Sequence, residues 1–286
     1  MLNYLRIVRP INLIIIGFTV LVLPVLVHPA MVLISFEGFV VVLKAITLTL
    51  IAASGYVIND YFDQKADAIN KPHEQVVGVH IAGKRAILVH VILSALALVL
   101  SFFLGYHYQN HFYWISALIL VVGLLIYTPF FKRTMIWGNV LVAAVVSILP
   151  WWALMDVAQP QKEFLIWAMV FFSFCSNWIR EVIKDVQDVE GDAVGQYNSI
   201  ALAKGVASAT QLVKWSWIAL LLCVILFHFM MLEHQDSMAL LLMAGPGVVG
   251  WFPVWIAKNP ADYKRIARLM KIWMILATIG FILLFA

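Results

Sequence analysis

Nine apolar runs divide this 286-residue chain, at roughly 12–29, 39–60, 86–105, 111–130, 137–155, 163–184, 211–232, 238–257 and 267–286. Each has about the length that the hydrocarbon of a bilayer demands of a helix. With 64% of residues hydrophobic and only 12% charged, there is too little polar surface to clothe a soluble domain. Backbone amides in hydrocarbon need partners within their own segment, and the runs lack the alternation of a barrel, so they read as helices. The expectation is an all-α polytopic membrane protein with nine transmembrane helices, residues 1–286 forming a single domain. The first run has a basic start, but it is long and lacks a small-residue cleavage pattern, so it reads as a retained span.

Basic residues orient the runs. Arg6 and Arg9 precede the first; Lys65, Lys71, Lys84 and Arg85 follow the second; Lys132 and Arg133 follow the fourth; Lys184 and Lys204 follow the sixth. Lys258, Lys264, Arg265 and Arg268 lie between the last two. The opposite loops hold only Lys162, amid Glu37, Asp156, Glu163, Glu233 and Asp236. The positive-inside rule then predicts a multi-pass protein of the cell (inner) membrane with its N-terminus in the cytoplasm. A basic fringe beside anionic lipid headgroups also accounts for the net charge of +4, and no nucleic-acid motif is present. Cys175 and Cys223 fall inside runs without metal-ligand spacing and read as small interior residues.

Nine of the fifteen acidic residues fall in two short stretches, each closing an apolar run on the cytoplasmic side. Asn59-Asp-Tyr-Phe-Asp-Gln-Lys-Ala-Asp67 places Asp60, Asp63 and Asp67 at i, i+3 and i+7, on one face of a helix. Asp185, Asp188 and Asp192 repeat the interval within Arg180 to Asp192. Either cluster alone reads as a solvated loop at a membrane edge. Their duplication argues otherwise: carboxylates this close in an apolar setting repel unless a cation neutralises them, and hard oxygen donors suit Mg²⁺ carrying a phosphorylated substrate.

Other polar residues lie near these runs. Asn12 follows Arg9 and Pro10, a pattern that also suits a simple interfacial anchor. Lys71, in Asn70-Lys71-Pro72, begins a polar loop that can fold over the first motif as a water-excluding lid. Tyr127 and Lys132 are candidates for phosphate oxygens and equally for belt anchors. Asn139, Asn177 and Arg180 are polar within predicted helices, where a charged side chain costs about 2.5–3.5 kcal/mol at the centre, so they are expected to face a cavity. Asn177, Arg180 and Lys184 share a face leading to Asp188. Gly245-Pro246-Gly247 reads as a kink in the eighth helix.

The paired signature, Asn59-Asp-Tyr-Phe-Asp-x-x-x-Asp67 with Asn70-Lys-Pro72, and Arg180-Glu-x-x-Lys-Asp-x-x-Asp-x-x-Gly-Asp192, resembles that of the UbiA superfamily of intramembrane prenyltransferases. The segments Arg9-Pro10-x-Asn12 and Tyr127 to Asn139 agree, so the resemblance covers the chain. It implies nine transmembrane helices around a central cavity, with Mg²⁺ held by Asp60, Asp63, Asp67, Asp185, Asp188 and Asp192. It also implies an isoprenyl diphosphate donor bound with help from Asn12, Asn59, Lys71, Tyr127, Lys132, Asn139, Asn177, Arg180 and Lys184, and direct catalytic roles for Asp60, Asp63 and Asp188. The second motif is most similar to the branch that alkylates a glycerol-phosphate lipid precursor, so the implied acceptor is geranylgeranylglyceryl phosphate. Where much of the family continues Asn-Lys-Pro with x-Arg-Pro, this chain has His73-Glu74-Gln75-Val76, which leaves an aromatic acceptor such as 4-hydroxybenzoate open.

Charge arithmetic gives the expected mechanism. Ionising an allylic C–O bond builds negative charge on diphosphate, which metal ions and Lys132, Arg180 and Lys184 stabilise, while aromatic and apolar walls shield the cation left behind. A cation-coupled transporter is the alternative from another class, but both acidic clusters sit at one face and no broken-helix pair carries them. A CDP-alcohol phosphotransferase would need Asp-x-x-Asp-Gly-x-x-Ala-Arg, which is absent.

Overall fold

The computed structural model describes residues 2–27, 36–156, 163–231, 237–257 and 260–285. Lys162, Glu233, Asp236 and Lys258, used above for orientation, lie outside the described residues. The N-terminal half runs α1 (Leu2–Ile7), α2 (Pro10–Val27), α3 (Phe36–Phe62), α4 (Gln64–Asn70), α5 (Gly83–His107), α6 (Phe112–Tyr127), α7 (Trp137–Ser147) and α8 (Leu149–Leu154). The remainder runs α9 (Glu163–Gln187), α10 (Val189–Val194), α11 (Ile200–Lys204), α12 (Val206–Met230), α13 (Ser237–Ile256) and α14 (Pro260–Phe285). A 3₁₀ turn at Phe131–Arg133 joins α6 to α7. No β-strand occurs among the described residues.

Every predicted apolar run coincides with a helix, the fifth with the pair α7–α8. Among the described residues, six spans are long and apolar enough to cross a membrane by length and composition, and Pro10–Val25 and Phe112–Tyr127 are shorter apolar helices. The fifth run breaks at Ile148 because Pro150, which has no N–H to give, falls in the first turn of α8. The kink expected at Gly245-Pro246-Gly247 does not interrupt α13. Instead the bare face of Gly247 receives the Trp273 ring, Trp273 donates to the Met243 carbonyl at 2.7 Å, and Trp217 donates to the Gly247 carbonyl at 3.0 Å. These bonds give the two buried indole N–H groups the acceptors that hydrocarbon cannot supply.

α9 is the central strut, packed on α7, α12 and α14, while α3 packs along α5 and α2. A continuous apolar core joins them, with Leu48, Tyr113, Trp152, Ile179, Trp217 and Phe281 among its fully or nearly fully buried side chains. The loop expected to close over the first motif packs beside it rather than over the cavity: Gln75 donates to the Gln64 carbonyl, within the motif, at 3.0 Å. Val76, Val77 and Ile81 bury against Ile7, Val57 and Ala86, and Arg6 donates to the His73 carbonyl at 3.2 Å. Only its first residues, Asn70 and Lys71, reach the cavity described next.

Candidate functional site

Both acidic motifs straddle a helix break, which corrects the expectation of one continuous face. Asp60 ends α3, Asp63 occupies the cap position before α4, and Asp67 lies inside α4; likewise Asp185 ends α9, Asp188 caps α10, and Asp192 lies inside α10. The bend falls at the middle aspartate each time, while the backbone bonds Asp67 N–H to Asp63 O at 2.8 Å and Asp192 N–H to Asp188 O at 2.9 Å bridge it. The short helices then pack against each other. Asn70 locks that contact: its carboxamide donates to the Asp188 carbonyl at 3.1 Å and accepts from the Gly191 N–H at 2.9 Å. Only glycine fits opposite it, because a Cβ at 191 would collide with the Asn70 side chain.

Beneath the motifs lies a cavity of about 210 Å³. Its polar end is formed by carboxylates and by Lys71, Lys132, Arg180 and Lys184; its inner end by Leu48, Leu120 and Leu149. Arg9 enters from the α1–α2 turn and Asn12 from α2, and Asn59 and Tyr127 line the wall. Arg9 takes a left-handed backbone (φ 54°) at the α1–α2 turn, aims over the Tyr56 ring at 4.9 Å, and pairs with Asp60 at 2.7 Å.

Asp63 is the most heavily engaged carboxylate. It accepts from Lys132 at 2.8 and 2.9 Å, from Tyr197 O–H at 2.6 Å and from Asn59 at 2.8 Å, while Thr128 donates to Asn59 at 2.9 Å. Burial alone would lower the Lys132 ammonium, but the Asp63 and Asp192 carboxylates outweigh it and hold Lys132 above its usual value. Burial and the Asp63 charge push the Tyr197 phenol upward, so it stays a donor. Asp185 accepts from Asn139 at 2.8 Å, and buried Glu181 takes one bond each from Arg180 and Lys184, both at 2.8 Å.

The second half of each motif is left without such partners. Asp67 has only Lys71, at 3.9 Å, and Asp188 and Asp192 make no side-chain hydrogen bond among the described residues. Asp192 is only 3% exposed. Burial, reinforced by Asp188 and Asp63, raises its carboxyl to about 6, and burial with Asp63 and Asp60 does the same for Asp67. Mutually repelling carboxylates that are half-buried or buried and only weakly compensated by lysines fit a hard divalent cation. Among the described residues no three acidic, His or Cys side chains form a ready-made cage. Mg²⁺ does not ask for one, since it takes one or two carboxylates and completes its octahedron with water and phosphate oxygens.

Of the residues singled out in the sequence, Asn12, Asn59, Asp63, Asp67, Lys71, Tyr127, Lys132, Arg180, Lys184, Asp185, Asp188 and Asp192 line this cavity. Asp60 and Asn139 stand behind it, each holding a neighbour. Asn177 does not reach it: its amide turns back to the Ser173 carbonyl at 2.9 Å, one helical turn earlier, and is satisfied there. Sequence reasoning missed Tyr197, brought beside Asp63 by a left-handed turn at Gln196 (φ 56°), and gave no role to Glu181 or Asn70. Asn70 carried a signal, standing three residues beyond Asp67 within the same motif.

Fold and site together define a multi-pass helical membrane protein whose cavity is acidic and basic at one end and hydrocarbon-lined at the other. The chain belongs to the UbiA prenyltransferase family, whose model matches residues 14–276. It is 28% identical to the digeranylgeranylglyceryl phosphate synthase of Saccharolobus solfataricus over 64% of this chain, a match that spans 63% of that relative's length. It is 24% identical to the enzyme of that name from Methanosphaera stadtmanae over 97% of each chain. Among solved structures, a digeranylgeranylglyceryl phosphate synthase shares the fold with a TM-score of 0.72 at 23% identity, covering 98% of this chain and 96% of that one. A UbiA homologue from Archaeoglobus fulgidus bound to DMAPP and Mg²⁺ gives a TM-score of 0.65 at 13% identity, covering 98% and 99%.

Proposed function

We propose that the whole chain acts as one prenyltransferase domain that moves a prenyl group from an isoprenyl diphosphate to the hydroxyl of a lipid phosphate, geranylgeranylglyceryl phosphate being the best-supported acceptor. The observation that carries this reading is the docking of α4 on α10, which sets Asp67, Asp188 and Asp192, none of them held by a side-chain hydrogen bond among the described residues, over an apolar channel. That geometry suits an amphiphile with a strongly anionic head and a hydrocarbon tail. The near-full-length likeness to digeranylgeranylglyceryl phosphate synthases supports the acceptor.

Mg²⁺ held by Asp67, Asp188 and Asp192, with Asp60, Asp63 and Asp185 alongside, would neutralise the charge that develops on the departing diphosphate. Lys132, Arg180 and Lys184 point donors at the same end of the cavity, and removal of one such donor typically costs about 10²–10³ in rate. Asp63, with Tyr197 and Asn59, holds Lys132 in place, and Asp60 does the same for Arg9. The allylic C–O bond breaks, an acceptor oxygen takes its place and loses its proton, and the apolar walls keep water from competing. The basic loops beside both motifs support a cytoplasmic site in the cell membrane.

The test offers purified protein, Mg²⁺ and geranylgeranyl diphosphate either geranylgeranylglyceryl phosphate or 4-hydroxybenzoate, with products identified by mass. A digeranylgeranyl ether is expected from the first and nothing from the second. Prenylation of the aromatic acid alone would refute the acceptor assignment, and no Mg²⁺-dependent product from either would refute the transferase.

A further inference from the structure

The cavity follows one stripe on each of its walls. On α3 it runs from Asp63 through Asn59, Gly55 and Ala52 to Leu48, residues three or four apart and so on one face. On α6 it runs from Tyr127 to Leu120, and on α7–α8 from Val142 to Leu149. Every stripe then stops at the same level. The next rung on α3 is Lys44, fully buried, whose ammonium lies 2.8 Å from Asp156 and over the rings of Tyr108 and Tyr113 at 4.9 and 5.3 Å. The next rungs on α6 are Ser116 and Tyr113, and on α8 Trp152; Trp152 donates to Ser116 Oγ at 2.8 Å and meets Tyr113 edge-on at 4.9 Å.

This sealed layer takes no part in the chemistry above. A fully buried lysine in a membrane helix is costly unless it has a purpose. Opening the layer to a hydrocarbon terminus would separate an ion pair in a medium of low dielectric, where breaking such a pair costs far more than at a surface. We infer that Leu48, backed by the Lys44–Asp156 pair and Trp152, is the floor of the donor channel and sets the longest prenyl chain the protein accepts. From Asn59 to Leu48 the α3 wall descends about 16 Å at 1.5 Å per residue, a depth that suits an extended prenyl tail. The inference rests on the prenyl-donor reading and deepens it by naming what limits the tail.

The experiment measures Mg²⁺-dependent binding of prenyl thiolodiphosphates, which bind without readily reacting, together with turnover of the matching diphosphates, from geranyl upward one isoprene unit at a time. Wild-type affinity and kcat/KM are expected to fall roughly tenfold or more at the first chain that overruns Leu48. Leu48→Ala moves that fall one isoprene unit longer, and Leu48→Phe moves it one unit shorter. Opposite shifts in two variants cannot come from misfolding, which would depress all chain lengths alike. Length profiles identical in the three proteins overturn the floor whether or not turnover is seen. Donors that bind with the expected cut-off but are never transferred support the floor and count against the transferase reading instead.

Discussion

The Asn70 carboxamide and the Gly191 amide meet at 2.9 Å, and this hydrogen bond, with the one Asn70 donates to the Asp188 carbonyl at 3.1 Å, ties the helix bearing the first acidic motif to the helix bearing the second. A methyl group at 191 must displace Asn70 and with it the relative position of Asp67 and Asp192. Misplacement of about 1 Å costs on the order of 10²-fold in a reaction that depends on positioning. Gly191→Ala is expected to lose at least that in kcat with little change in thermal midpoint. Asn70→Ala relieves the clash but not the lost bonds, so Asn70→Ala/Gly191→Ala should match Asn70→Ala alone; a double variant as slow as Gly191→Ala would place the fault elsewhere.

Removing Lys132 strands a carboxylate that is 4% exposed. Breaking a buried pair from one side costs about 3–5 kcal/mol. Lys132→Ala should therefore lower the unfolding midpoint in detergent sharply, and Lys132→Ala/Asp63→Ala should recover part of the loss without recovering activity. Tyr197→Phe, which deletes a hydrogen bond to a charged group, should cost about 1.5–3 kcal/mol. Independent, additive losses in the double variant would mean that the two side chains are not coupled.

Burial, with Asp188 and Asp63 close by, raises the Asp192 carboxyl from the ordinary aspartate range to about 6 in the fold. A carboxyl raised in the folded state binds its proton more tightly there, so its charge penalises the metal-free fold above about pH 6, and the penalty disappears as the pH falls below the unfolded value. Asp192→Asn should accordingly stabilise the protein at pH 7.5 in chelator and lose that advantage at pH 4. With Mg²⁺ and a diphosphate present the sign reverses at pH 7.5, because the asparagine no longer supplies a charged ligand. Thermal midpoints of the two proteins across this range, with and without Mg²⁺ and diphosphate, decide it.

Topology is open to direct labelling. Lys84 in the first turn of α5 and Arg133 in the turn between α6 and α7 lie beside the acidic motifs, whereas Gln109 lies at the turn between α5 and α6, a full α5 length away. Single cysteines at these positions, in a background with Cys175 and Cys223 replaced, should label from outside intact cells only at 109. Labelling at 84 or 133 by an impermeant reagent would invert the arrangement.

The helices were legible because hydrocarbon leaves a backbone no alternative, and the gathering of Asp63, Asp67, Asp185, Asp188 and Asp192 at one cavity because repulsion makes such spacing costly without a cation, whereas Asp60 turns to Arg9 instead. Division of labour within each motif was not legible. Asp63 and Asp67 look equivalent in a sequence, yet one is saturated by Lys132, Tyr197 and Asn59 and the other has only a distant lysine, a distinction made by elements up to 134 residues away. Asn177 failed for the opposite reason: spacing placed it on the productive face, and a local bond to Ser173 withdrew it. The Lys44–Asp156 pair joins residues 112 apart, and neither had any feature that announced the other.

The cavity has a wet rim and an oily depth, and that shape decides what concentration means for this protein. The prenyl donor and lipid acceptor proposed for it would dwell in the lipid sheet, so what the site samples would be their number per unit area of bilayer, not their amount per litre. Adding inert lipid or detergent at constant total substrate should slow turnover simply by spreading the molecules over more surface, and a Michaelis constant for the lipid acceptor will transfer between preparations only when expressed as a mole fraction.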